Sequence, residues 1–171
     1  LMAGADTRAT ARALASAAAL GPFDAVFCGC KAIDGETGQV PGELAAALGL
    51  PCISNAEKVE MAGDGLLVTR RLEDGVQNLT VYGSAVISFS SYSYPLRLAG
   101  ILGMRRARKT PVEILTAADL GLTPEDCGLK GSLTKVVAME SRFPGLRRGP
   151  KETDLDAGVQ NLRVLLREVR P

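Results

Sequence analysis

Few folds can accommodate the stretch from Ala25 to Gly49. An apolar run, Ala25-Val26-Phe27-Cys28, stops at Gly29. A turn of small and polar residues then carries Asp34-Gly35-Glu36-Thr37-Gly38-Gln39, and a helical pattern runs through Leu44 and Leu48 to a stop at Gly49. Strand, loop and helix in that order place free backbone N–H groups and the positive end of a helix at the C-terminal edge of a sheet. Open α/β proteins bind phosphorylated ligands there.

The rest of the chain supplies further elements for such a sheet. Asp6 is placed to cap a helix from Thr7 to Leu20, which Gly21-Pro22 ends, and a strand over Asp24 to Gly29 follows. Cys52 to Met61 reads as a strand. Gly65 to Leu72 and Val76 to Tyr82 read as a hairpin around Glu73-Asp74-Gly75, because Asp-Gly between alternating segments is a strong turn signal. Ser84 to Ser90 reads as another strand, and Val112 to Leu115 as a short one. Strands that alternate with helices and then follow one another directly point to a parallel core with an antiparallel extension. Tyr92 to Gly103 loses periodicity while keeping apolar residues, which fits a buried turn or a partner-binding surface. The basic run Arg105 to Lys109 suits a solvated helix end, its cations facing the negative end of the dipole. Arg142 to Thr153, rich in Pro, Gly and Arg, reads as a linker to a helix over Asp154 to Glu168 with Leu155, Val159, Leu162, Leu165 and Leu166 on one face.

Composition removes whole classes of chemistry. The chain of 171 residues contains no histidine, so a Ser-His-Asp triad and the usual zinc sites are absent, and general-base catalysis would rest on side chains that form no paired constellation here. A net charge of +1 supplies no field for nucleic acid or an anionic membrane, and no run nears the roughly 18 apolar residues that span a bilayer. Cys28, Cys30, Cys52 and Cys127 sit in apolar segments without a pairing pattern, as small buried thiols do. The expectation is a cytoplasmic carrier or binder, not a stand-alone enzyme, without a metal, a nucleic-acid partner or a membrane insertion.

Within the loop, Gly35 and Gly38 allow close approach of backbone to a pyrophosphate, while Thr37 and Gln39 offer a hydroxyl and an amide. Asp34 and Glu36 would repel phosphate if aimed at it. Asp34 therefore either caps amides in the turn or bonds a ribose hydroxyl, with Glu36 turned to solvent. The plain alternative is an ordinary strand-to-helix connection with Thr37 as N-cap.

Ala32-Ile33-Asp34-Gly35-Glu36-Thr37-Gly38-Gln39-Val40, followed by Glu43-Leu44-Ala45-Ala46 and Leu48-Gly49-Leu50-Pro51, resembles the nucleotide-binding segment of electron transfer flavoprotein β subunits. Ala3 to Thr7 with Ala9 to Leu14, Arg105 to Val112 and Thr116 to Leu122 resemble the same family in the same order. The resemblance implies a Rossmann-like three-layer α/β/α adenine-nucleotide-binding fold, with a largely parallel sheet, an antiparallel hairpin extension and a C-terminal arm. It implies that FAD or AMP, with FAD favoured by the compact loop of the bifurcating type, contacts Cys28, Gly29, Ala32, Ile33, Asp34, Gly35, Glu36, Thr37, Gly38, Gln39 and Val40. It also implies a flavin-bearing α subunit as partner and an acyl-CoA or other flavin dehydrogenase docking on Tyr94, Pro95, Leu96, Arg97 and Leu98. Residues 1–141 then form a partial nucleotide-binding domain, comparable to the C-terminal two-thirds of such a subunit, and 142–171 a linker and helix that pack on the α subunit. Cys30-Lys31 stands where the family has a basic residue and Gln, and Ser91 to Arg97 replaces its usual docking pattern. Two rival functions remain beside this one: a nucleotide module without redox role, and an interaction domain that has lost its nucleotide.

Overall fold

A computed structural model describes residues 2–91, 93–138, 140 and 152–168. The chain divides into two compact units, Leu1–Lys135 and Val136–Pro171. In the first, helix α1 (Thr7–Ala18) starts at Asp6, whose carboxylate accepts the Ala9 N–H at 2.9 Å. Strand β1 (Ala25–Gly29), helix α2 (Val40–Leu48), strand β2 (Cys52–Ala62), the hairpin β3 (Gly65–Leu72) and β4 (Gly75–Tyr82), and strand β5 (Ala85–Phe89) follow. One five-stranded sheet results, in the order β1-β5-β2-β3-β4. β5 pairs in parallel with β1 and β2, whereas β2–β3 and β3–β4 are antiparallel. The fold is thus α/β with a mixed sheet, parallel where the loop ends it and antiparallel beyond.

Side-chain alternation explains why helices gather on one face of this sheet. Val26, Cys28 and Val86 point to the side where Ala11 and Ala15 of α1 and Leu44 and Ala45 of α2 pack. Alanines at the α1–α2 contact permit close approach of the two helices, and each apolar group removed from water there contributes at about 25 cal/mol per Å². The opposite face holds Ile53, Ala56, Val68, Ala85 and Ile87. Ile53 and Ala56 reach that same face although three residues apart, because the β2–β5 register shifts between them and Asn55 takes φ 58°. A bulge re-aims a strand in this way.

Beyond β5, helix α3 (Ile101–Lys109) carries Arg106, Arg108 and Lys109 in its last turn and buries no residue. Val112 to Leu115, expected as a strand, is coil. Pro111 lacks an N–H, and Val112 and Ile114 are 84% and 83% exposed, so nothing supports a ladder there. A 3₁₀ turn (Pro124–Asp126) and the short helix α4 (Gly128–Gly131) bring the chain back to α1, where Arg12 meets Asp126 at 2.7 Å. In the second unit, α5 (Leu155–Glu168) is capped by Asp154, which accepts the Ala157 N–H at 2.9 Å. Leu155, Val159, Leu162, Leu165 and Leu166 are exposed along it, and the expected linker lies for the most part, 142–151, outside the described residues.

Candidate functional site

Strands β1 and β5 end side by side, with Gly29 opposite Phe89 and the Cys30 N–H donating to the Phe89 carbonyl at 3.0 Å. The connection from Lys31 to Gln39 leaves this edge fully exposed and turns into α2. Gly38 has φ 65°, a conformation that L side chains rarely adopt, and a Cβ there would sit 3.5 Å from the Cys30 carbonyl. Gly35 has no such requirement, and its N–H is taken by the Asp34 carboxylate at 2.8 Å. Asp34 therefore does cap the turn. Glu36, with φ 49°, folds back to the Lys31 ammonium at 3.2 Å, so neither acidic side chain of the loop is left as a free charge facing a phosphate.

The start of α2 differs from an ordinary connection. Gln39 occupies the N-cap position without a side-chain cap, and Thr37 only accepts the Gln39 N–H at 3.5 Å, so Thr37 is not the N-cap. The first N–H groups of a helix have no intrahelical partner, and Pro41 removes one donor outright. Those of Val40 and Gly42 remain, at the positive end of the helix dipole.

The loop separates two cavities. One, of about 220 Å³, is lined by Cys28, Gly29, Ala32, Thr37, Gly38 and Val40, and so brings together most of the residues expected to contact a nucleotide. Ile33 is 95% exposed and stands away from it. The other, about 790 Å³, opens between α2 and the strands and is lined by Cys30, Lys31, Gln39, Gly42 and Glu43 on one side and Cys52, Ser54, Asn55 and Ser88 on the other. Sequence reasoning missed the second group. A serine in the middle of the run Ala-Val-Ile-Ser-Phe was the available signal, and its meaning depends on the register that sets Cys52 beside Val86. Ser88 is 1% exposed. Burial pushes the Cys28 thiol above its ordinary pKa, with a smaller contribution from nearby Cys52. The thiol donates to the Ile87 carbonyl, and a neutral thiol of this kind is a poor nucleophile at neutral pH.

The expected docking segment lies elsewhere. Tyr94 packs edge-on against Phe89 with centroids 5.6 Å apart, and its hydroxyl accepts the Val59 N–H at 2.9 Å. Pro95, Arg97, Leu96 and Leu98 are exposed, the two leucines at 87% each. Tyr92 lies outside the described residues. Phe27, Met61, Phe89 and Tyr94 border an apolar cavity of about 440 Å³ on the helix-free side of the sheet. Among the described residues no helix is long and apolar enough to cross a membrane.

The chain is similar to known proteins. Residues 1–120 match the model of the electron transfer flavoprotein domain. The chain is 41% identical over 163 residues to the electron transfer flavoprotein subunit beta of Thermoanaerobacterium thermosaccharolyticum, covering 94% of this chain and 62% of that protein. It is 36% identical to Protein FixA of Azorhizobium caulinodans, over 90% of this chain and 57% of the relative. It is 33% identical to the caffeyl-CoA reductase-Etf complex subunit CarD of Acetobacterium woodii, over 78% and 51%. The chain thus spans between half and two-thirds of the length of these relatives.

Proposed function

The chain belongs to the electron transfer flavoprotein family, and from that premise we propose that it acts as the β-subunit portion of a cytoplasmic electron carrier. It binds AMP or FAD at the loop, pairs with a flavin-bearing α subunit, and passes electrons between a flavin dehydrogenase and an acceptor. The observation that carries the reading is the uncapped start of α2 beside the glycine loop at the end of β1 and β5. The residues suit a nucleotide: the Val40 and Gly42 amides at the α2 start have no side-chain cap, Gly38 leaves the backbone approachable, and both loop carboxylates are already engaged.

Bound flavin supplies the redox chemistry. This chain's residues would hold and orient the ligand: the Val40 and Gly42 N–H groups would donate to its phosphates, with the Lys31–Glu36 ion pair beside them. FAD is favoured over AMP, since the compact loop leaves a cleft on either side of it. The absorption spectrum of the complex, with chromatography of the nucleotide released on denaturation, tests the reading. FAD or AMP at one equivalent per β chain supports it, and a nucleotide-free, folded complex overturns it.

Tyr94 to Leu98 serves as the dehydrogenase-docking segment, Leu96 and Leu98 being the anchors. Exposed at 87%, they contribute little to the fold, whereas buried apolar anchors in an interface commonly carry ~2 kcal/mol or more. Leu96→Ala and Leu98→Ala should therefore leave the melting temperature unchanged and slow partner reduction about tenfold or more, by the same scale. Unchanged rates in both variants refute the assignment.

A further inference from the structure

Every residue from Pro95 to Thr116, helix α3 included, is exposed. Among the described residues the hydrogen bonds of this stretch stay local, as from the Thr110 hydroxyl to the Arg106 carbonyl, and no ion pair ties it to the sheet. It is an arm, and both its roots are fastened. At the near root the Tyr94 hydroxyl accepts the Val59 N–H at 2.9 Å, and the Ser93 hydroxyl donates to the Ala56 carbonyl at 3.1 Å. At the far root the chain returns to α1. There Arg12 meets Asp126 at 2.7 Å, Cys127 and Gly128 are buried, and Asp6 Oδ2 accepts the Leu133 and Thr134 N–H groups at 2.8 and 3.0 Å.

The arm offers a partner two things. Leu96, Leu98, Val112 and Ile114 are each more than four-fifths exposed, and Arg97, Arg105, Arg106, Arg108 and Lys109 stand in a stretch from Pro95 to Val112 without one acidic residue. An acidic surface around an apolar pocket complements both. A segment held at both ends has fewer conformations to give up on docking than one held at a single end. We propose that Asp6 and Arg12 are positioning residues for the dehydrogenase: from α1 they fasten the far root of the arm, holding it as a closed loop, and touch no partner themselves. This rests on Tyr94 to Leu98 being the docking segment.

Asp6→Asn separates the clasp from the helix cap. Asparagine caps a helix about as well as aspartate, but its amide has one acceptor oxygen and cannot serve Ala9 and the Leu133 and Thr134 amides together. The test uses the full-length subunit with its α partner and nucleotide, and follows electron transfer with a flavin dehydrogenase as the carrier concentration is varied. Asp6→Asn and Arg12→Met should each raise the KM for the carrier roughly three- to tenfold, leaving kcat and nucleotide content at the parent values. Should Asp6→Asn fail to fold, Arg12→Met carries the test, since the Arg12 side chain is 51% exposed. An unchanged KM in the clasp variants would overturn the positioning role, as would a fall in kcat at constant KM. If Leu96→Ala and Leu98→Ala still slow the transfer, the docking reading survives that failure. If they are silent too, both readings fall.

Discussion

Helices α1 and α2 lie against each other, yet their N-termini are finished in opposite ways. At α1 the Asp6 carboxylate accepts the Ala9 N–H with Oδ1 and, with Oδ2, the Leu133 N–H at 2.8 Å and the Thr134 N–H at 3.0 Å; the Asp6 N–H goes to Ser132 at 2.8 Å. The Asp6 N–H and Oδ2 are thereby tied to a segment more than a hundred residues away in sequence. At α2 no side chain caps the helix, Pro41 deletes one donor, and the loop's own acids bond within the loop. The first end stabilises the chain. The second leaves its donors without a side-chain cap, a division consistent with function costing local stability.

The largest effect expected from this contrast is on ligand binding. Gly38→Val pushes a β-branched side chain into left-handed backbone, a strain of about 1–2 kcal/mol, and toward the Cys30 carbonyl. Combined with Thr37→Ala, it should reduce nucleotide content of the folded complex at least tenfold by the scale of one or two lost charge-assisted bonds. Full stoichiometry in a folded double variant would make the α2 start an ordinary connection.

Next in size is the stability of the α1 end. Loss of a side-chain N-cap costs ~1–2 kcal/mol, and Asp6→Ala also frees Leu133 and Thr134, so a clear fall in melting temperature is expected with nucleotide affinity unchanged. The accepted hydrogen bonds, that from Ala9 foremost, hold the Asp6 carboxyl down to about 2. A folded-state pKa below the unfolded value of about 3.9 means the contribution is complete above pH 4 and fades as pH falls toward 2. Acid titration of stability should show this step in the parent and not in Asp6→Ala. An identical acid limb in both would show that the clasp contributes nothing.

Legibility from sequence follows the same divide. The Asp6 cap, the Glu73-Asp74 turn and the Gly49 stop were readable because each acts within a few residues, and the structure has Leu72 opposite Gly75 and Gly49 at φ 67°. The clasp from Asp6 to Thr134 was not, since nothing local marks a partner so distant. Val112 to Leu115 has the composition of a strand but no neighbouring strand to pair with, which composition does not reveal. The loop itself was legible as the connection from β1 to α2. Ser54, Asn55 and Ser88 were not, because a serine's neighbours on a sheet depend on strand order and on the bulge at Asn55.

A smaller effect comes from making the second helix end resemble the first. Gln39→Asp places a carboxylate in the field of the α2 dipole, stabilising the helix by ~0.3–1 kcal/mol. The same charge would repel a phosphate at this helix end, so affinity for AMP or FAD should fall while the melting temperature of the nucleotide-free protein rises slightly. A variant that gains both stability and affinity would show that the anion does not approach this helix end.

The smallest effect tests whether the two ends communicate. Thr7, the first residue of α1, places its hydroxyl 3.1 Å from Glu43 Oε1 and 3.2 Å from Gln39 Oε1. One hydroxyl has one proton and donates to one of these at a time, so Thr7 leans on the α2 start without saturating it. Holding Oε1 in this way orients the carboxylate whose Oε2 is buried with no hydrogen bond. Thr7→Val keeps the shape and removes the tether. It should weaken binding of AMP or FAD only about two- to fivefold, as expected for a positioning contact worth ~0.5–1 kcal/mol. In a cycle with Glu43→Gln the two losses should be less than additive, because both substitutions act through the one Thr7–Glu43 contact. Strict additivity would mean that Thr7 stabilises α1 alone and that the two helix ends act independently.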